Sequence, residues 1–341
     1  MATESLLDQQ IVLDHGTGAR LSRELVEFVV EVLGDVYIGE MEDSAMLPAP
    51  SGSIAMTTDS FVVDPPFFGN GDIGKIAVCG TVNDLAVVGA KPLYLTLAMI
   101  LETGLPIRDL HRALVSLRDT AAEAGVKIVA GDTKVVAPGE ADGIFLNTTG
   151  IGVFHTPPKR MKDVRPGDRI VLSGPIGNHT VHLLSVREGL GFEKNVLSDC
   201  APLNGLIDSV EAAVPADAVR SMRDVTRGGL SAVLHEYSAA LGRKVRVEEA
   251  ELPIAHETQM AADMLGINPI HCANEGCLAL FVDPDSVDVV LKALREHPYG
   301  AQAVVVGEVT EQPGKAVELL GRDGRVSEIE ELQGAELPRL C

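Results

Sequence analysis

The spacing of apolar and polar positions divides the chain into segments of helical and of strand period. An irregular opening containing HGTGA leads into an amphipathic helix over about 22–32. From residue 53 the pattern predicts a strand (53–63), a Gly-rich loop (64–72), a helix (73–90) and a strand (93–102). A second helix over 107–124 precedes the apolar strand 126–130 and a further strand at 144–154. The stretch HTPPKRMKDVRPGD, with three prolines and a cluster of bases, reads as an interdomain linker. A second α/β unit then begins with a strand at 169–172, has helices near 181–188, 200–213 and 230–241, and strands at 277–282 and 303–309. A hairpin, 317–320 to 326–329 around GRDG, is followed by a loose tail, ELQGAELPRLC.

The expected organisation is therefore a lead-in and helix (1–40), a first domain (41–155), a second α/β domain (166–310) and a hairpin with a mobile tail (311–341). A length of 341 residues agrees with two domains. Hydrophobic residues make up 46%, too many for a disordered chain, while aromatics are 4% and Trp is absent. The cores must be built from Val, Ile, Leu and Ala, which with 34 Gly suits an α/β (α+β) enzyme. A net charge of −21 repels phosphate backbones and anionic lipid, so no nucleic-acid or membrane partner is expected. The start, MATESLLDQQ, has neither a basic region nor an apolar run, so no signal peptide is expected. Five cysteines without a CxxC pair suit a reducing cytoplasm.

Candidate chemistry changes the picture further. GNGDIGKI (69–76) imitates both a dinucleotide turn and a P-loop. Ile76 cannot hold magnesium as a P-loop Ser or Thr does, and Asp72 would repel a pyrophosphate; Asp72 as a helix cap explains the motif better. The helix 73–90 is apolar nearly all round, yet Asn83 and Asp84 sit inside it. A buried carboxylate needs a partner or a metal, so Asp84 is either a magnesium ligand or half of a salt bridge. Asp59 interrupts a strand, Asp132 follows the strand 126–130 in GDTKVV, Asp43 lies in GEMEDSAML and Asp224 opens DVTRGGL. Gly228 and Gly229 leave helix-start amides open to a phosphate, and Arg227 adds a cation. Asp43, Asp59, Asp84, Asp132 and Asp224, in settings rich in Gly and Thr, suggest hard oxygen ligands for Mg²⁺ on a nucleotide. His271, Cys272 and Cys277 have the wrong spacing for zinc. Glu275, in ANEG just before a buried strand, is either a strand-end ion pair or a chemical group.

Taken together, TTDSFVVDPPFFGNGDIGKIAVCGTVNDLAVVGAKPLYL, GDTKVV, SVREGLGFE with SDCAPLN, DVTRGGL, ANEG and the terminal PRLC resemble the HypE-type hydrogenase maturation factors, a family of carbamoyl dehydratases. These belong to the superfamily of aminoimidazole ribonucleotide synthetase, selenophosphate synthetase and thiamin monophosphate kinase. The chain departs from the family pattern at Ala19, Asn178, Thr180 and His235. The resemblance implies a homodimer whose amino-terminal halves pair through strand 53–63 into a shared β-barrel, a carboxyl-terminal α/β domain and a cleft for ATP. It implies ATP contacts from Asp59, Lys75, Asn83, Asp84, Asp132, Thr133, Asp224, Arg227, Gly228 and Gly229, with Mg²⁺ held by residues drawn from the five aspartates. Cys341 would take a carbamoyl group from a HypF-type carbamoyltransferase, and ATP-driven dehydration would leave a thiocyanate. The cyano group would pass to a HypC/HypD-type iron scaffold for the iron centre of NiFe hydrogenase. Glu275 and Lys134 are the candidate bases, Lys134 being equally a plain phosphate contact. The alternatives are a small-molecule ATP-dependent synthetase or kinase of the superfamily, and a non-catalytic carrier or scaffold.

Overall fold

In a computed structural model the described residues are 6–332, apart from 41 and 43, together with 340–341. The chain divides into two compact units: Met1–Leu85, Ala90–His155 and Arg339–Cys341 form the first, and Ala86–Gly89 with Thr156–Pro338 the second.

The first unit is a four-stranded sheet backed by helices. Its strands are β1 (Ile54–Phe61), β2 (Ala90–Glu102), β3 (Lys127–Val136) and β4 (Ile144–Phe154), in the order β1-β4-β2-β3. All neighbours are antiparallel except β2 and β3. Helices α1 (Arg20–Leu33), α2 (Ile73–Val87) and α3 (Ile107–Ala124) accompany it. Residues of β1 alternate cleanly, with Ala55, Thr57 and Asp59 partly covered and Ile54, Met56, Thr58 and Ser60 exposed. Period-two alternation therefore leaves one face of the sheet open, Met56 being 68% exposed. The other face carries α2, which approaches closely because β4 offers Gly150: a Cβ there would lie 2.6 Å from Thr81 and 2.9 Å from Leu85.

The second unit is a seven-stranded sheet of β5 (Arg169–Leu172), β6 (Val219–Asp224), β7 (Arg243–Glu248), β8 (Leu278–Val282), β9 (Val304–Pro313), β10 (Val317–Leu320) and β11 (Val326–Ile329). The order is β11-β10-β7-β9-β5-β8-β6, and only β7 and β10 are parallel. The α/β expectation is thus met in its α+β form. Its helices are α4 (Asn178–Glu188), α5 (Asn204–Ala213), α6 (Gly229–Leu241), α7 (His256–Leu265) and α8 (Val287–Glu296). Among the described residues two large apolar clusters fill the unit, one around Tyr237 stacked on Phe281 and the other around Leu206, Leu280 and Leu294, with a smaller one at Val181, Val196 and Ala261.

Several boundaries differ from the sequence expectation. The helix expected over 73–90 stops at Val87, where Gly89 takes φ +83 and β2 starts at Ala90. The strand expected to end at 130 runs to Val136, because its pairing with β2 continues through the polar Asp132–Lys134 stretch. The tail segment 333–339 lies outside the described residues. Leu340 is 7% exposed and groups with the first unit.

Candidate functional site

Two of the predicted carboxylates sit where α2 packs on β1. The Thr57 hydroxyl donates to Asp84 Oδ2 at 2.8 Å, and the Thr81 hydroxyl lies 3.2 Å from Asp59 Oδ2. Thr57 and Asp59 share a face of β1, while Thr81 and Asp84 are three apart on α2, so each strand position meets a helix position. Beneath them Thr81 touches the Thr148 hydroxyl at 2.5 Å, and Thr148 donates to the Ala77 carbonyl at 2.8 Å. Asp84 is half-buried rather than enclosed, because it sits at the β1 edge of the sheet; the expectation of a fully buried charge is corrected. Asn83 is buried beside it.

Asp72 is a cap. Its Oδ1 accepts from the backbone N–H of Lys75 at 3.0 Å. Burial pushes its carboxyl up against the opposing pull of Lys75 N–H, Ser116, Gly74 N–H and Arg112. Lys75 is half-buried in the first turn that Asp72 closes.

Asp132 does not follow a strand; it lies within β3, exposed and ion-paired to Lys134 at 2.7 Å, two residues on along the same face. Two whole strands, β4 and β2, stand between it and Asp59, so the two cannot share an ion within one chain. Asp132, Thr133 and Lys134 line a cavity of about 490 Å³ together with His15, Gly16, Gly18 and Ser22 and an apolar wall that includes Val29, Leu33 and Met99. His15, 3% exposed in that wall, is a residue that sequence reasoning passed over. The signal was the first position of HGTGA, a stretch noted only as an irregular opening and for its departure at Ala19.

In the second unit, Asp224 ends β6 and is 8% exposed. The chain then turns through Arg227, which is exposed, and through Gly228 and Gly229 at φ +76 and +62 into α6. Only glycine fits at 229, where a Cβ would lie 2.6 Å from the Ile270 carbonyl oxygen and would crowd that of Cys272 as well. The loop before β8 lies against this turn. Asn274 N–H donates to the Val225 carbonyl and the Asn274 amide to the same oxygen, which brings Glu275 beside the end of β6. Glu275 is 5% exposed, and its backbone N–H donates to Asp199 Oδ1 at 3.0 Å.

The structure thus separates the predicted metal ligands. Asp59 and Asp84 each bond a threonine across the β1–α2 contact, Asp132 stands at the far edge of the same sheet, Asp224 is in the other unit and Asp43 lies outside the described residues. No three His, Cys, Asp or Glu side chains form a metal-holding group among the described residues. Magnesium is nevertheless commonly held by one or two carboxylates plus phosphate oxygens, and Asp59 with Asp84 fits that donor set. Burial pushes the thiols of Cys272 and Cys277 up to about 12, which leaves them unreactive. Cys341 is partly exposed. Among the described residues no helix is long and apolar enough to cross a membrane.

A two-unit chain with hydroxyl-held carboxylates in its first half and a Gly-Gly helix start in its second has the two-domain build of the AIR synthase related proteins. Models of the AIR synthase related protein match in its N-terminal domain over residues 41–154 and in its C-terminal domain over residues 165–319. The carbamoyl dehydratase HypE of Azotobacter vinelandii is 40% identical over 343 residues, covering 100% of both chains. A crystal structure of the hydrogenase maturation protein HypE in complex with ATP superposes with a TM-score of 0.91 at 37% identity, over 97% of this chain and 99% of that one. A crystal structure of a HypE–HypF complex matches with a TM-score of 0.78 at 42% identity, over 90% of this chain and 99% of that one. The chain belongs to the HypE carbamoyl dehydratase family.

Proposed function

We infer that the protein catalyses ATP-dependent dehydration of a carbamoyl group on Cys341 to a thiocyanate, supplying cyanide for the iron centre of NiFe hydrogenase. The observation that carries this reading is the likeness to carbamoyl dehydratases over the whole length of both chains, with the PRLC motif among the matching residues of this chain's sequence. An amide oxygen is a poor leaving group, so it must first be phosphorylated. The carbamoyl oxygen attacks the γ-phosphorus of ATP, ADP leaves, and the first N–H proton is lost. The C–O bond then breaks, phosphate departs with that oxygen, and loss of the second N–H proton completes the C≡N bond. Glu275 is the group assigned to accept a proton, because an ion-paired ammonium such as Lys134 has no lone pair to offer. Lys134 and Thr133 are assigned to oxygen contacts of the nucleotide, and Lys75, Asn83, Arg227 and the amides at Gly228–Gly229 to ATP binding. Asp59 and Asp84 would hold magnesium, whose charge offsets that of the triphosphate.

A homodimer fits the open sheet face. Ile54 and Met56 are exposed on β1, itself a sheet edge, and a second copy covering them completes a β-barrel. A HypF-type carbamoyltransferase would load Cys341, in keeping with the solved HypE–HypF complex, and a HypC/HypD-type scaffold would receive cyanide in the cytoplasm. The test is peptide mapping and intact mass after incubation with the carbamoyltransferase, labelled carbamoyl phosphate and ATP. Carbamoyl and then cyano adducts are expected on the final peptide alone, and Cys341→Ala should abolish them. Label on Cys79, Cys200, Cys272 or Cys277 would overturn the mechanism.

A further inference from the structure

His15 carries an unusual donor. It lies in the 3-10 turn Leu13–Gly16, 3% exposed, and its Nδ1 accepts the backbone N–H of Val12 at 3.0 Å. An imidazole that accepts at Nδ1 holds its proton on Nε2, so the tautomer is fixed by the turn. That Nε2 is buried and, among the described residues, has no hydrogen-bond partner. Buried donors left unmatched are rare and costly, and cluster where a ligand completes them. The same ring lines the 490 Å³ cavity that also takes in the Asp132–Lys134 ion pair and Gly18. Gly18 leads into α1, whose N-cap Ala19 offers no side-chain cap to the helix start. Glu40 and Glu42 line the cavity beside the Asp132–Lys134 ion pair, so its charge does not single out an anion; the unmatched Nε2–H, near the N-terminus of α1, is what calls for an oxygen acceptor.

We propose that His15 is a binding residue that donates from Nε2 to an oxygen of the reacting ligand, either a nucleotide phosphate or the carbamoyl oxygen that becomes phosphorylated. This rests on the ATP-dependent dehydration argued above. The two sources share one chemistry, and the experiment separates them.

Two substitutions divide the two ring nitrogens. In His15→Asn the amide oxygen takes the place of Nδ1 and keeps the Val12 contact, but the Nε2 donor is lost. In His15→Gln the amide nitrogen stands near Nε2, and the Nδ1 acceptor is lost. Each variant is measured by thermal melting, by calorimetric Mg·ATP binding without carbamoyl donor, and by single-turnover dehydration of pre-carbamoylated protein at saturating Mg·ATP. His15→Asn should melt near the wild type yet lose about tenfold or more in one functional readout. Loss in calorimetry identifies a phosphate oxygen; loss confined to turnover identifies the carbamoyl oxygen. His15→Gln should melt lower but retain more function than His15→Asn. A merely structural histidine gives the opposite ranking, with His15→Asn normal in both functional assays, and that result overturns the inference. The wild type run in parallel keeps the two readings apart. If it forms no cyano adduct, the dehydratase reading fails, and the role of His15 is then decided by Mg·ATP calorimetry alone.

Discussion

Replacing Asp84 by Asn separates the charge of this side chain from its structural bond. Thr57 Oγ1 donates to Asp84 Oδ2 at 2.8 Å, and an amide oxygen accepts from the same hydroxyl. The fold then loses only the difference between a charged and a neutral hydrogen bond, about 1 kcal/mol. That corresponds to a fall in melting temperature of about 2–4 °C for a unit of this size. The effect on Mg·ATP is larger. With the magnesium charge partly neutralised by its phosphate oxygens to about one unit, a carboxylate about 4 Å away is worth about 4 kcal/mol at an effective dielectric of about 20 and about 1 kcal/mol in water. Asp84 is half-buried, so its contribution falls between these limits. The affinity for Mg·ATP should therefore drop between about fivefold and about a thousandfold, centred near a hundredfold. Calorimetry with Mg·ATP measures it directly. ATP with magnesium chelated is the internal control: a carboxylate repels a bare triphosphate, so the Asn variant should bind it at least as well as the wild type. Mg·ATP affinity within about threefold of the wild type, in a protein that melts normally, would refute the assignment of Asp84 to the metal.

Glu318 on β10 bonds Lys244 Nζ at 2.8 Å and Arg246 on the parallel strand β7 at 2.7 Å. The Lys244 bond chiefly, with Arg246, holds its carboxyl below the ordinary value of 4.5, so it stabilises the fold above that pH and ceases to do so as acid protonates it. Glu318→Gln should cost about 1–3 kcal/mol in denaturant titrations near neutral pH and far less in acid below the carboxyl's own pKa; an equal cost in both would exclude the ion pairs as the source. Gly229→Ala combines φ +62 with a Cβ 2.6 Å from the Ile270 carbonyl. A loss of about 2–4 kcal/mol is therefore expected in the second unit. Unchanged denaturation would mean that the turn after Asp224 relaxes freely.

Local pattern made much of the fold readable; β6, α7 and α8 went unassigned, and two other failures share a cause. Helix α3 is amphipathic over Ile107–Ala124 and ends on Gly125 in the left-handed conformation, so both boundaries were visible. The hairpin of β10 and β11 was equally plain, because GRDG punctuates two short apolar-bearing runs. Strand β7, RKVRVE, was not assigned. Its apolar residues alternate with charges that read as a solvated segment, and the charges at Lys244 and Arg246 are there to meet Glu318 on the neighbouring strand. Strand β3 reads as ending at 130 because Asp132 and Lys134 break the apolar run, yet the hydrogen bonds to β2 carry it on to Val136. In both cases a partner distant in sequence decides the local conformation.

The carboxylates of the site were legible as charges in apolar settings, but their grouping was not, since strand order is a non-local property. β1-β4-β2-β3 puts Asp59 and Asp132 on opposite edges, although their motifs look alike in sequence. The supports of the first pair were also hidden, because Thr57, Thr81 and Thr148 are β-branched residues that suit a buried strand or helix without further reason. Their hydroxyls matter through proton count. Thr81 and Thr148 have one proton each, yet three contacts depend on them: Thr81 with Asp59, Thr81 with Thr148, and Thr148 with the Ala77 carbonyl. Two protons cannot serve three contacts at once. When Thr148 gives its proton to Ala77, Thr81 must choose between Asp59 and Thr148. The helix that carries Asp84 is thus held to β1 and β4 through hydroxyl protons, which Thr81→Val would reduce by one with little change of side-chain shape.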